Sequence, residues 1–171
     1  MEIKQLPVDG YEEVYRATDS RTGLTAFIAV HDTTLGPALG GCRMWHYSRE
    51  EDAITDVLRL SRGMTFKSAV ARTGLGGGKA VILGDPKTEK NPDLFRSMGR
   101  FVHTLAGRYT TAEDVGVNEQ DMLHVRETTP YVTGLPRIKG GSGDPSPVTA
   151  LGVFMGLKAC VGEAFGSEDL E

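Results

Sequence analysis

The order in which apolar residues change their spacing along this chain is what most limits its fold. Glu13 to Thr18 alternates and is rich in strand formers. The turn signal Asp19 to Gly23 follows, and Thr25 to His31 reads as a second strand, which predicts an N-terminal hairpin. Ile54, Val57, Leu58, Ser61 and Met64 then recur at helical spacing behind a Ser48/Glu51 capping pair, so a helix is expected from about Arg49 to Gly63 or a little beyond. KAVILG, Lys79 to Gly84, is a short buried strand closed by Asp85 and Pro86. Asn91 and Pro92 open a helix that carries Leu94, Phe95, Met98, Phe101, Val102 and Leu105 and ends at Gly107. Arg108 to Val117 begins as a strand, Asn118 opens a helix with Met122, Leu123 and Val125, and Tyr131 to Leu135 reads as another strand. Ser146 and Pro147 cap a last helix whose Val148, Leu151, Val153, Phe154, Leu157 and Val161 leave a thin polar face. Strands that alternate with helices in this way argue for an α/β fold, a sheet with helices packed on it.

One stretch fits none of these elements. Leu35 to Tyr47, LGPALGGCRMWHY, carries Gly36, Pro37, Gly40 and Gly41 and is read as a loop, yet Leu39, Met44 and Trp45 make it too apolar for a solvated one. It is expected to line a pocket or a subunit contact.

The densest chemistry lies in GMTFKSAVARTGLGGGK, Gly63 to Lys79. Each glycine of the triplet Gly76, Gly77, Gly78 costs roughly 0.5–1 kcal/mol against alanine in a regular element, so close approach to the main chain is the expected reason for it. Lys67 and Lys79 flank this run, and two ammonium groups facing one pocket repel, which favours the neutral amine at one of them. A neutral amine is a base. The alternative is plain: solvated surface lysines beside a glycine loop. Asp114, near Gly116, is open to the same two readings, a turn former or an acid coupled to a lysine. Glu113 is its neighbour, and strand geometry sends the two side chains to opposite faces.

Several function classes are excluded. Gly78 and Lys79 mimic the end of a phosphate-binding loop, but Thr73 stands where its first glycine belongs and Ala80 where its hydroxyl residue belongs. No Gly-x-Gly-x-x-Gly turn follows a strand. With a net charge of −4, no basic footprint for nucleic acid is present. Cys42 and Cys160 match no metal spacing and are expected as reduced thiols, and His31, His46, His103 and His124 lack ligand spacing, so no metal is expected. No membrane-spanning run or signal peptide is read, and a cytoplasmic location is expected.

In order and spacing, LGPALGGCRMW, LRLSRGMTFK, GLGGGKAVILGDP, GRYTTAEDVG, YVTG and GDPSPVTALGVFMGLKA resemble the N-terminal amino-acid-binding domain of the glutamate, leucine, phenylalanine and valine dehydrogenases, most of all the leucine and phenylalanine branch. The resemblance implies a mixed, mostly parallel sheet flanked by helices. It implies reversible oxidative deamination of an apolar L-amino acid to a 2-oxo acid and ammonia with NAD as cofactor. Lys67 would bind the substrate carboxylate, Lys79 would activate water, and Asp114 would pass protons to and from the amine. Leu39, Gly40, Gly41, Met64, Ala112 and Thr133 would line the substrate pocket, and Thr149 would face the nicotinamide. In the glutamate branch a lysine binds the side-chain carboxylate at the place held here by Leu39, so glutamate is disfavoured. Leucine, valine and phenylalanine are not separated, since a methylene is worth only about 1–3 kcal/mol.

The resemblance also implies a domain plan: residues 1–165 form a substrate-binding and oligomerisation domain, and 166–171 begin a linker to a dinucleotide-binding domain absent from this chain. A homo-oligomer is expected. The 171 residues alone are then expected to be inactive, and a non-catalytic amino-acid-binding or assembly module is the competing role.

Overall fold

A computed structural model describes residues 1–170; Glu171, the last residue of the expected linker, lies outside the described residues. The strands are β1 (Glu2–Gln5), β2 (Glu13–Asp19), β3 (Leu24–Asp32), β4 (Ala38–Trp45), β5 (Gly76–Leu83) and β6 (Tyr109–Glu113). The helices are α1 (Glu50–Val70), α2 (Pro92–His103), α3 (Glu119–Arg126) and α4 (Ser146–Phe165), with a 3-10 turn at Arg137–Lys139.

The six strands form one sheet in the order β1-β2-β3-β5-β4-β6. Pairings β1–β2, β2–β3 and β3–β5 are antiparallel, whereas β4–β5 and β4–β6 are parallel. The mixed α/β architecture is as expected, and its parallel half carries the candidate site. The N-terminal hairpins tilt the count towards antiparallel pairing, because a tight turn can join only antiparallel neighbours.

Each face of the sheet has its own core. Val14, Phe27, Ala29 and Val81 pack against Ala53 and Val57 of α1. On the other face Ala26, Ile28, Cys42, Met44, Ala80 and Ile82 meet Leu94, Phe95, Met98 and Phe101 of α2 and Met122 and Val125 of α3. Strand alternation within β5 therefore turns Lys79 and Val81 towards α1 and Ala80 and Ile82 towards α2.

Several local expectations need correction. The strand read as Lys79 to Gly84 begins at Gly76 and ends at Leu83, so the glycine triplet lies inside it. The apolar Leu35–Tyr47 segment is not a loop: most of it is β4, the strand between β5 and β6. Its glycines serve contact rather than turning, since a Cβ at Gly40 would lie 1.7 Å from the Gly78 carbonyl oxygen and one at Gly41 2.5 Å from that of Glu113. Helix α1 passes Gly63 and runs to Val70, so Lys67 sits inside its last turn. One mid-helix glycine costs ~1 kcal/mol, and the buried Ser68 and the packing of Thr65 on Gly77 hold the added turns. The Ser48/Glu51 cap is absent; Arg49 is the N-cap and makes no side-chain cap bond. Tyr131–Leu135 makes only a single parallel bridge, Val132 with Thr111, and Gly134, at φ 70°, then turns the chain out of the extended backbone that a longer ladder needs. Helix α2 stops at His103, short of Gly107.

The helices at Asn91 and Asn118 start as the sequence predicts, each asparagine accepting from the backbone amide three residues on. Strand β1 has no counterpart in the sequence reading. Helix α4 spans the expected stretch, but its N-cap is Pro145, with no side-chain cap bond. Against the reading that no run could span a membrane, its 20 residues, with a mean hydropathy of 1.5, make one helix among the described residues long and apolar enough to cross a membrane by length and composition. No residue of α4 is buried, and Val148, Leu151, Val153 and Phe154 are exposed.

Candidate active site

At the carboxyl ends of β4 and β6 a lysine, an arginine and an aspartate meet. Lys79 lies mid-strand in β5 with only 5% of its surface exposed. Its Nζ stands 3.0 Å from Asp114 Oδ2, one residue past the end of β6. The same oxygen accepts a hydrogen bond from Arg43 Nε at 3.0 Å. Arg43 Nη1 donates in turn to Asp56 Oδ2 at 2.8 Å, and the Tyr47 hydroxyl donates to that oxygen at 2.6 Å. A continuous polar chain thus runs from Lys79 through Asp114, Arg43 and Asp56 to Tyr47.

Charge and burial compete at Asp114. Burial pushes its carboxyl up, but the Lys79 ammonium and then the Arg43 guanidinium outweigh this and hold it below the usual aspartate value. The charge that Lys79 meets at contact is therefore opposite in sign, where the sequence reading placed a second ammonium. Lys67 is exposed at the end of α1, beyond ion-pair distance of Asp114. It is not wholly detached from the site: Thr65, two residues before it, packs on Gly77, two residues before Lys79. Met64, one turn back on α1, is half-buried.

Bare main chain forms the floor. Gly41 pairs with Ala112 and Leu39 with Thr110 across the β4–β6 ladder. A Cβ on Gly41 would come within 2.8 Å of the Asp114 Cβ, so this glycine lets β4 lie against the acid. Opposite, the Tyr109 hydroxyl donates to the Gly40 carbonyl at 2.6 Å, and its ring fills the space a Gly78 side chain would need. Gly40→Ala is therefore expected to destabilise the fold by about 3 kcal/mol or more through overpacking, a fall in the thermal midpoint of roughly 6–12 °C. Circular dichroism melting checks it, and an unchanged midpoint would contradict the packing.

Glu113 behaves as strand alternation requires. Its side chain lies by Gly134 and not in the Lys79 contact, and Oε1 is buried without a hydrogen bond among the described residues. Burial first, then the Glu119 and Asp144 carboxylates, push its carboxyl up. Thr133 is tied to β6 by its amide, which donates to the Thr111 carbonyl at 2.8 Å.

A cleft of about 930 Å³ opens beside Asp114, bounded by Glu113, Asn118 and Glu119 on one side and by Asp144, Ser146 and Thr149 on the other. Of the expected site residues Asp114 and Thr149 line this cleft, whereas Lys67, Lys79, Met64, Leu39, Gly40, Gly41, Ala112 and Thr133 do not. No group of three or more His, Cys, Asp or Glu side chains among the described residues is placed to hold a metal.

Arg43 is the residue that the sequence reading missed. The signal was present: read as a strand, Leu39, Gly41 and Arg43 share one face by period-two alternation. The glycines around them read as turn residues and hid it.

The chain is similar to known proteins over nearly its whole length. Residues 11–131 match the family described as "Glu/Leu/Phe/Val dehydrogenase, dimerisation domain". A leucine dehydrogenase of Geobacillus stearothermophilus is 55% identical over 169 residues, 99% of this chain and 46% of that protein. A phenylalanine dehydrogenase of Bacillus thermotolerans is 53% identical over 94% of this chain and 42% of its own length. The crystal structure of L-tryptophan dehydrogenase from Nostoc punctiforme superposes with a TM-score of 0.73 at 44% identity, over 95% of this chain and 45% of that one. The chain thus spans about half the length of the relatives it matches. Since the family match takes in β2 to α3 and with them Lys79, Arg43 and Asp114, the chain belongs to the Glu/Leu/Phe/Val dehydrogenase family.

Proposed function

We propose that this chain is the substrate-binding and catalytic half of an amino acid dehydrogenase that deaminates an apolar L-amino acid of the leucine, valine or phenylalanine type. The observation that carries the reading is the 3.0 Å contact between a nearly enclosed lysine and an aspartate at the mouth of a cleft. Such a pair can hold a proton and return it, which is what exchange between an amine, an imine and water demands.

In this reading Asp114 takes a proton from the substrate amine and returns it to departing ammonia. Lys79 removes a proton from the water that attacks the imine, giving the 2-oxo acid. Lys67, a flexible exposed cation at the end of α1, holds the substrate carboxylate. Leu39, Gly40, Gly41, Met64, Ala112 and Thr133 would border the substrate side chain, with Leu39 and Gly41 on one face of β4 and Ala112 paired to Gly41 on β6. A substrate carboxylate buried against Leu39 would have no partner, which disfavours glutamate.

NAD is the implied cofactor, and it would accept the hydride from the substrate Cα. The cleft between Asp114 and Thr149 is acidic, with Glu113, Asp114, Glu119 and Asp144 on its walls and no lysine or arginine. That lining suits the cationic oxidised nicotinamide ring and repels a pyrophosphate. Thr149 would therefore face the ring, while the phosphates need a cradle outside residues 1–165. Residues 166–171 are proposed as the start of the connection to it, and the exposed apolar flank of α4 is in keeping with a covering domain. Self-association, in keeping with the family description, and a cytoplasmic location belong to the same proposal.

A second reading, a binding or assembly module without turnover, is in keeping with the family description as a dimerisation domain. One experiment separates the two. The 171 residues alone, given leucine and NAD, are expected to form no NADH, and the same chain joined to a dinucleotide-binding half is expected to turn over leucine, valine or phenylalanine well above glutamate. A joined, folded protein with no activity towards any of the three would leave only the module.

A further inference from the structure

We propose that Arg43, anchored by Asp56 and Tyr47, is a positioning residue that holds the Asp114 carboxyl in place against Lys79 throughout the reaction. The inference rests on the deamination reading for its consequence but not for its geometry. Asp114 Oδ2 receives both Lys79 Nζ and Arg43 Nε at 3.0 Å. A proton-handling lysine must give up its charge for part of each cycle. At that moment the attraction that holds Asp114 from the Lys79 side lapses. Arginine cannot lapse with it, because guanidinium stays protonated. Arg43 thus supplies a permanent positive contact where Lys79 supplies an intermittent one.

The anchoring is built from a different part of the fold. Asp56, on α1, binds Arg43 Nη1 at 2.8 Å, and Tyr47, between β4 and α1, donates to the same carboxylate oxygen. Burial first and then Asp56 push the Tyr47 phenol up, so it remains a donor at working pH. Asp114 faces Lys79 from β5 and Arg43 from β4; Glu113 precedes it at the end of β6, Glu119 lines the same side of the cleft, and Asp144 stands across it. The other two acids that border Arg43's surroundings are Asp52 and Asp56, with Arg59 among them. Of all these groups only Lys79 and Arg43 pair with Asp114.

An open cavity of about 480 Å³ reaches Arg43 from solvent, between Trp45, Tyr47, Asp56 and Arg59. It offers a direct test, because a small guanidinium ion can enter the space an alanine would leave. The titration of the Asp114 carboxyl is followed by carbon NMR in the 171-residue chain, with folding checked by circular dichroism. Its midpoint is expected to rise in Arg43→Met and Arg43→Ala, to fall back in Arg43→Ala when guanidinium is added, and to rise partially in Asp56→Asn. In the chain joined to a dinucleotide-binding half, Arg43→Met is expected to lose on the order of 10²-fold in kcat/KM, with its acidic limb moved to higher pH and partial recovery in Arg43→Lys.

A midpoint unmoved in folded Arg43→Met, or unmoved by guanidinium in Arg43→Ala, overturns the proposal. Should the Arg43 variants fail to fold, Asp56→Asn and Tyr47→Phe carry the same test, and an unmoved midpoint in both overturns it equally. The NMR readout needs no turnover, so loss of the deamination reading and loss of this inference give separate results.

Discussion

Lys79→Ala, in the chain joined to a dinucleotide-binding half, is expected to lower kcat for leucine by about 10²–10⁴-fold, the range of a lost general base. The protein should still fold. Removing one partner of a buried ion pair is usually severe because a bare charge remains, but here Arg43 still pairs with Asp114 at 3.0 Å. Lys67→Ala provides the contrast. An exposed residue that holds the substrate carboxylate in ground and transition states alike should raise KM and leave kcat nearly unchanged. Steady-state kinetics on both variants check the assignment, and equal losses of kcat would show that the two lysines do not divide the work as stated.

Asp114→Asn is the second large effect, with an expected loss of about 10²–10⁴-fold in turnover because an amide cannot take the amine proton. It also has a signature in stability. Burial raises the Asp114 carboxyl, and Lys79 followed by Arg43 more than reverses this, so the folded value lies below the unfolded one. For a depressed carboxylate the stabilisation is complete above the unfolded value, ~4, and disappears as pH falls through the folded value. Wild type should therefore lose stability on acidification in that window more steeply than Asp114→Asn. Chemical unfolding from pH 7 to pH 2 measures it, and parallel curves would place the Asp114 carboxylate outside the Lys79–Arg43 contact.

Much of this site was legible in the residues themselves. KAVILG could only be a buried strand, and a lysine at its start had either to find a partner or to be excluded from the core. The separation of Asp114 from Glu113 followed from alternation alone, and the structure places their carboxylates in different surroundings. What could not be read was any feature that depends on how strands meet. Gly40 and Gly41 carry the composition of a turn; their need for bare main chain arises from Gly78 and Glu113 on neighbouring strands, distant in sequence. For Arg43 alternation gave the face but not the role, because its two acidic partners lie 13 and 71 residues away. Helix α1 outran its sequence signal because contact with β5, rather than local propensity, sustains its last turns.

The central claim is that Lys79 and Asp114 act on the substrate's amino carbon. A crystal structure of this chain soaked with 4-methyl-2-oxopentanoate tests it most directly. The expected result is the 2-oxo oxygen within hydrogen-bond distance of Lys79 Nζ, the carboxylate turned towards Lys67 and the isobutyl group against Leu39 and Ala112. An oxo acid bound instead at Arg59 and Trp45, with the Lys79–Asp114 contact untouched, would contradict the account.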